Sequence, residues 1–171
     1  LQAFNRNLLL APQLYGNPWF LRDDEYPKLA RIFNLARKYR DILVNGMVLP
    51  EDRYGEKAVS RGDDRMRLLT LRNLSWTPII CKVKLDEEIG LLAGTEVELR
   101  QYHPTERVIG TFRRGGVVDV EGLPFRSCLL MASSKQSELG IKGCDYDLVR
   151  DVPGKPVLIK LLAMPGEKRN V

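Results

Sequence analysis

The sequence predicts a mainly β protein: an antiparallel β-sandwich preceded by one long amphipathic helix. Three observations lead to this prediction. In the N-terminal part, apolar residues recur at three- and four-residue spacing, as they do along one face of a helix. Beyond residue 46 the period changes to alternation, which is typical of strands in a sheet with one wet face. Glycine-containing turns then follow at short intervals that leave no room for crossover helices.

The helix is predicted between Asp23 and Gly46. Acidic residues at 23–25 suit the positive end of the helix dipole. Gly46 is expected to end the helix in a left-handed conformation. Arg31 is assigned to the polar face together with the other basic residues. The predicted apolar face consists of Leu29, Ile32, Phe33, Ala36, Tyr39 and Leu43.

The strands are predicted from alternation and from the turns between them. In the run Val97 to Gln101, Glu98 and Arg100 are assigned to the wet face of the sheet. The segment 113–116 (Arg-Arg-Gly-Gly) is interpreted as a hairpin loop, because glycine supplies the positive φ angles of such turns. The predicted strands are Met66–Arg72, Ile79–Leu85, Val97–Gln101, Arg107–Phe112, Val117–Glu121, Phe125–Ala132 and Val157–Ala163.

The pattern divides the chain into three parts. Residues 1–50 form a helical segment, and residues 51–133 form the antiparallel sandwich. Residues 134–171 begin with a polar joint and continue into extra strands, either as a closing pair of strands or as the start of a further accessory module.

Composition excludes several classes of function. The net charge is +5, but lysine and arginine are spread along the chain among 22 acidic residues, which disfavours a nucleic-acid-binding stripe. No apolar run approaches the roughly 20 residues of a membrane span. The three cysteines lack metal-ligand spacing, and Cys81 and Cys128 are predicted to be small buried hydrophobic residues.

No catalytic, metal or cofactor site is predicted. His103, the single histidine, lacks the sequence context of a nucleophile and an orienting acid, although an enzyme acting through it is the third hypothesis. Asp145-Tyr146-Asp147 could offer oxygen ligands to calcium, but no suitable loop comes after it. Arg61-Gly62-Asp63 is better explained as a turn than as an adhesion motif. Adjacent acids at 23–24, 63–64 and 87–88 are more typical of caps and turns than of glycoside hydrolysis.

Two aromatic residues, Trp76 and Tyr102, are the predicted carbohydrate-binding residues, because an exposed ring can stack on the apolar face of a sugar. Trp76 is the better candidate, since it lies at a corner between two strands. The alternative for such a tryptophan is to plug the end of the sandwich. Three residues earlier, Asn73-Leu74-Ser75 fits the acceptor pattern for N-glycosylation, and whether Asn73 is glycosylated stays open.

Longer stretches of the sequence resemble part of a known enzyme class. The N-terminal part resembles the closing helix of a catalytic (β/α)8 barrel, on the segments 15–19 (Tyr-Gly-Asn-Pro-Trp), 29–33 and 39–43. The β-rich part of the chain resembles the small β-sandwich that ends many bacterial barrel glycosidases of the broad α-galactosidase-like type. In that pattern a strand ends in an Asn-x-Ser turn, here at 71–75, and a later strand comes after a proline-aromatic pair, here Pro124-Phe125. The resemblance covers roughly residues 12–132.

The resemblance implies a glycoside hydrolase for the parent protein, acting in polysaccharide degradation, with its catalytic acids upstream of Leu1. This chain would then be a non-catalytic accessory sandwich that packs on and stabilises the barrel, in a periplasmic or extracellular bacterial enzyme. The alternative is an independent module that binds carbohydrate or a protein partner. The isolated chain is expected to expose an apolar patch around Trp19, Phe20 and Phe33, or to cover it by self-association.

Overall fold

The computed structural model of the chain describes residues 19, 21–135, 141 and 144–168. Within these residues the backbone forms three short or medium helices, one 3₁₀ turn and ten strands. In chain order they are α1 (Glu25–Lys38), α2 (Arg40–Leu43), β1 (Gly46–Val48), α3 (Glu51–Tyr54), β2 (Val59–Gly62), β3 (Met66–Arg72), β4 (Ile79–Lys84), the 3₁₀ turn (Glu87–Ile89), β5 (Glu96–His103), β6 (Arg107–Arg113), β7 (Val117–Gly122), β8 (Ser127–Ser133), β9 (Asp145–Arg150) and β10 (Leu158–Leu162).

All strand pairs are antiparallel. A six-stranded sheet has the order β1-β2-β3-β8-β5-β6, and a second sheet consists of β4 and β7. A third, two-stranded sheet is formed by β9 and β10. The predicted fold class, an antiparallel β-sandwich with a helix, is confirmed.

The main hydrophobic core lies between the six-stranded sheet and the β4–β7 pair. Alternate residues of β3 and β8, such as Leu69, Leu71 and Leu130, meet Val83 of β4 and Val120 of β7. Each buried aliphatic side chain of this size stabilises the fold by about 1.5–3 kcal/mol. Two predicted core cysteines, Cys81 and Cys128, lie in this layer as free buried thiols, which confirms their assignment as small hydrophobic residues.

The opposite face of the six-stranded sheet is covered by α1 and α2. Leu35, Tyr39 and Leu43 occur at four-residue spacing, so they lie on one side of the helical segment. They pack against Leu129 and its neighbours on β3, β5 and β8. The central strands are therefore buried on both faces.

This second layer corrects the prediction of a wet face on β5. Glu98 and Arg100, which alternation assigned to solvent, are both buried. The Arg100 guanidinium lies 3.5 Å from the Glu98 carboxylate and donates a hydrogen bond to the carbonyl oxygen of Ile141. Alternation correctly separated the two faces of the strand, but it could not show that chain outside the sheet covers the polar one.

The helical region differs from its prediction in three details. The helix is interrupted at Tyr39, although the Leu43 amide still donates to the Tyr39 carbonyl. Gly46 does not end a helix in the left-handed region, because it is the first residue of β1 and pairs with Arg61. Arg31 lies on the buried side and not on the polar face, with 5% of its surface exposed.

Of two predicted turns, one agrees with the structure and the other differs from its prediction. Arg61-Gly62-Asp63 leads into the β2–β3 hairpin, where Asp63 Oδ1 accepts hydrogen bonds from the amides of Arg65 and Met66, which confirms the turn interpretation. The turn at 113–116 has its positive φ at Gly115 as expected, but it is not a hairpin loop. It connects β6 in the large sheet to β7 in the opposite sheet, so the chain crosses between layers there.

The predicted division at residues 50 and 133 stays a prediction. The structure shows that the segments on either side of these positions contact one another, because α1 packs on the six-stranded sheet and β9 contacts both α1 and β6. No helix in the described ranges is long and apolar enough to cross a membrane.

Candidate functional site

The corner between β3 and β4 is held in place by the Asn73 side chain. Its amide nitrogen donates to the carbonyl oxygens of Thr77, at 2.7 Å, and of Gly122, at 2.9 Å. Its amide oxygen accepts from the backbone amide of Ser75 at 2.8 Å. One buried side chain thus satisfies the backbone of its own loop and ties it to the end of β7, which makes the corner rigid.

This arrangement makes the Asn73 side chain inaccessible in the folded chain. A glycan would be attached to the side-chain nitrogen, and that nitrogen is buried and already donates two hydrogen bonds. The folded chain therefore does not present Asn73 as an acceptor. The Asn-x-Ser sequence here has a structural role.

We expect Asn73→Ala to lower the free energy of unfolding by about 2–3 kcal/mol, because it leaves several polar backbone groups at the corner without partners. Urea unfolding followed by circular dichroism measures the change. Asn45→Ala is the matched control, since Asn45 is exposed, and should change stability by less than about 0.5 kcal/mol. Equal effects of the two substitutions would contradict the structural role.

The rigid corner displays Trp76 on the surface. The indole is 86% exposed, and its ring centroid lies 4.6 Å from that of Phe125 in an edge-to-face arrangement with an interplanar angle of 79°. Phe125 is itself 52% exposed. Trp76 therefore does not plug the end of the sandwich; the two rings form an outward-facing aromatic pair.

The backbone of Phe125 has a φ angle of 52°, in the left-handed region. For a bulky side chain this conformation is strained by about 1–3 kcal/mol, and such strain concentrates at functional positions. The strained backbone presents the Phe125 ring to Trp76, so it maintains the aromatic pair.

A groove with an accessible volume of about 100 Å³ adjoins this pair. Its wall includes Leu123 and Arg126, on either side of Pro124 and Phe125, and its other side includes Arg107, Glu121 and Gln101. Gln101 is held by a hydrogen bond from its side-chain nitrogen to the carbonyl oxygen of Thr105. We call the aromatic pair and the groove together the corner surface. Its residues are Trp76, Phe125, Leu123, Arg126 and Arg107.

The structure places the second predicted sugar-binding residue elsewhere. Tyr102 is only 6% exposed and lies beneath α1, with the Arg31 guanidinium 5.7 Å from the centre of its ring. A ring covered in this way cannot stack on a sugar, so the assignment of Tyr102 to carbohydrate binding is not supported by its position. Trp76 and Tyr102 are not brought together.

His103 lies at the end of β5 and is partly buried. Burial, together with the positive charges of Lys28 and Arg126, lowers the pKa of its imidazole to about 4. The ring is therefore neutral at pH 7. No hydrogen bond links it to a serine, cysteine or acidic side chain among the described residues, so the structure adds nothing to the hypothesis of catalysis through His103.

The three adjacent acid pairs have structural partners. Asp24 lies 3.0 Å from the Arg22 guanidinium, and Asp63 caps the β2–β3 turn through the amides of Arg65 and Met66. Glu88 accepts hydrogen bonds from Arg53 and from the Tyr54 hydroxyl, at 2.6 and 2.7 Å. The Asp63 contacts agree with the turn interpretation, whereas Asp24 and Glu88 contact side chains and Asp24 makes no side-chain hydrogen bond that caps α1.

A buried charge cluster that sequence reasoning missed joins α1 to the strands. The Arg31 guanidinium binds both carboxylate oxygens of Glu106, at 2.7 and 3.2 Å, and one oxygen of Asp151 at 3.2 Å. The Tyr146 hydroxyl donates a short hydrogen bond to Glu106. Burial alone would lower the pKa of Arg31, but the hydrogen bonds and negative charge of Glu106 outweigh it, so the guanidinium stays protonated.

The signal for this cluster was present in the sequence. Arg31 stands four residues before Leu35, which in turn precedes Tyr39 and Leu43 at the same spacing, so Arg31 continues the buried stripe. Nothing in the sequence, however, indicated Glu106 and Asp151 as its partners, because they lie 75 and 120 residues away. Tertiary contacts bring these residues together, and the cluster holds α1 against the strands.

Calcium binding at residues 145–147 gains no support from the structure. Tyr146 is directed into the buried cluster, and Asp147 lies 4.0 Å from Lys28. In the part of the chain that the structure describes, no three or more histidine, cysteine or acidic side chains are grouped so that they could hold a metal ion.

Comparison with known proteins shows a similarity in fold to a solved structure. No family model matches the chain, and no curated protein matches it. Among solved structures, a Bacillus halodurans C-125 protein proposed to be an α-N-acetylgalactosaminidase matches with a TM-score of 0.54 and 15% sequence identity. The two chains share a fold. The match covers 77% of this chain, and it spans 30% of the length of the Bacillus halodurans chain.

Proposed function

We propose that this chain is a non-catalytic accessory β-sandwich of a larger glycoside hydrolase, which packs on and stabilises a catalytic barrel of the same polypeptide. The observation that carries the proposal is the coverage of the structural match, 77% of this chain against 30% of the Bacillus halodurans chain. The proposal includes a bacterial, periplasmic or extracellular enzyme of polysaccharide degradation.

The surface around the start of α1 is a suitable contact for the barrel. Trp19 is 89% exposed, and Leu21 and Tyr26 are also exposed large apolar residues. Of the other predicted patch residues, Phe33 is partly buried beneath the Arg37 guanidinium, and Phe20 lies outside the described residues. Exposed apolar surface of this kind marks contacts with another domain or with a second copy.

The test begins with the complete reading frame, which should encode a (β/α)8 barrel with inward-facing acidic residues before Leu1. If it does, the full protein should hydrolyse an aryl glycoside, and this chain alone should not. Removing this chain from the full protein should lower the melting temperature of the barrel. An unrelated upstream sequence, turnover by the purified chain, or a barrel that is equally stable without it would overturn the proposal.

A second candidate function is favoured by a specific observation, the exposure of Trp76 beside Phe125. An exposed aromatic pair on a rigid loop suits an independent carbohydrate-binding module, because it offers flat apolar area at little cost in side-chain entropy. Retention of the chain on immobilised glycans, lost in Trp76→Ala with an unchanged melting temperature, would support this function. A broad glycan array without retention would count against it.

A further inference from the structure

The corner surface carries two exposed arginine side chains, Arg107 and Arg126. Neither guanidinium forms a hydrogen bond or ion pair with another described residue. Arginine binds carboxylates through two parallel hydrogen bonds, so two unpaired guanidinium groups at one groove favour an anionic ligand.

The local charge balance stays positive when the acidic neighbour is included. Glu121 also lines the groove, so two arginines face one carboxylate there. Arg72, whose Nε donates to the carbonyl oxygen of Glu56, adds a further positive charge at the adjoining recess, which shares Glu121, Gly122, Arg126 and Cys128 with the groove. Besides burial, the charge of Arg126 contributes to the lowered pKa of His103, which is consistent with a positive local field.

The aromatic pair is continuous with the cationic groove. Phe125 lies between the groove residues Leu123 and Arg126 in the chain, and its ring contacts Trp76. Neither ring lines the groove itself, so a ligand would have to extend from the groove past Phe125 to reach the exposed indole. A ligand that contacts both the aromatic pair and the arginines needs a flat apolar face next to a negatively charged substituent.

The size of the groove decides which part of the ligand enters it. Its volume of about 100 Å³ is well below the ~300 Å³ of pockets that enclose a whole small molecule. A single substituent fits, and a sugar ring would remain outside, where Trp76 is exposed.

We propose that the corner surface binds an acidic carbohydrate, a uronate-containing oligosaccharide, with its carboxylate between Arg107 and Arg126 and its ring on Trp76. The proposal rests on the second proposed function, carbohydrate binding at Trp76, and specifies its ligand class. Aromatic and arginine side chains also bind single-stranded nucleic acid. A uronate is favoured for two reasons. The groove has room for one substituent, and the corner offers one pair of aromatic rings, whereas successive bases of a nucleic acid would need several stacking sites.

The experiment compares each acidic ligand with its uncharged methyl ester. Trimers of galacturonate, glucuronate and mannuronate are titrated into the whole chain by calorimetry, each alongside its fully methyl-esterified form. At least one uronate trimer should bind, and its ester should bind about fivefold more weakly, since an exposed ion pair contributes up to about 1 kcal/mol. Raising the salt concentration should weaken the uronate complex, because exposed charges are screened.

Single substitutions locate the site. Trp76→Ala should abolish detectable binding, and Arg126→Ala should weaken it about fivefold or more. Arg113→Ala is the matched control, because Arg113 is an exposed arginine at the opposite end of β6 from Arg107, and it should change nothing. All three side chains are exposed, so melting temperatures should stay the same.

Each of the other outcomes would overturn a stated part of the proposal. Equal binding of ester and acid would overturn the uronate assignment and leave carbohydrate binding intact. No binding of any saccharide would overturn both, while the accessory-domain proposal is judged separately by the reading frame. Binding of a hexathymidylate in preference to every uronate, or an equal loss in Arg113→Ala and Arg126→Ala, would also overturn the inference.

Discussion

Arg31→Ala is expected to lower the free energy of unfolding by about 3–5 kcal/mol, because it leaves the Glu106 carboxylate and the Asp151 carboxylate buried without their cation. Total stabilities of domains are about 5–15 kcal/mol, so the variant should be close to unfolding. Urea unfolding at pH 7, followed by circular dichroism and by tryptophan fluorescence, measures the difference.

The matched control for this prediction is Arg37→Ala on the same helix. Arg37 is exposed, and its guanidinium donates a hydrogen bond to the side-chain oxygen of Asn34 at the surface. Its loss should therefore change stability by less than about 1 kcal/mol. The double variant Arg31→Met with Glu106→Gln should recover part of the loss, because it removes a buried charge along with its partner and keeps an acceptor for Tyr146. Equal effects of Arg31→Ala and Arg37→Ala would show that the buried cluster does not exist in solution.

Leu35→Ala is expected to destabilise the chain by about 2–5 kcal/mol. The Leu35 side chain is fully buried in the cluster that joins α1 to the six-stranded sheet, and its removal leaves a cavity between helix and sheet. Thermal and urea unfolding of the purified chain give the change. Hydrogen exchange should show faster opening of α1 than of the central strands in this variant.

Val44→Ala serves as the control for Leu35→Ala, because Val44 comes directly after α2 but is exposed, and its effect should stay below about 0.5 kcal/mol. The comparison also tests where the helix belongs. If Leu35→Ala leaves the stability of the isolated chain unchanged, α1 does not pack on the sandwich in solution, and the helix would have to find its partner in another domain.

Local patterns predicted most strands because each signal lies within a few residues. Strand β3 was predicted with the observed bounds, Met66–Arg72, and β6 to β8 differ by one or two residues at their ends. The strand β2 and the short elements β1 and α3 are not predicted, since three or four residues are too few to establish a period. The six-residue strand β9 is not predicted either. The turn at Gly115 was recognised, but its role as a crossing between sheets depends on pairing partners far along the chain.

The candidate site also combines a feature that local sequence predicts with features that depend on contacts between distant segments. Trp76 was predicted as a corner residue from the neighbouring Asn, Ser and Pro, and the structure confirms that position. Phe125 and Arg126 were not linked to it, because they lie about 50 residues later and approach only through the end of β7. The roles of Asn73 as a structural tie and of Tyr102 as a covered ring were likewise decided by contacts between distant segments.

By itself the sequence determined the fold class, the approximate positions of most strands, the amphipathic character of the helix and the burial of Cys81 and Cys128. These properties arise from hydrophobic period and turn chemistry, which act over a few residues. Only the tertiary structure decided which faces are covered. It buried Arg31 and Arg100 while exposing Trp76, because burial depends on what packs over a residue and not on the residue's own polarity.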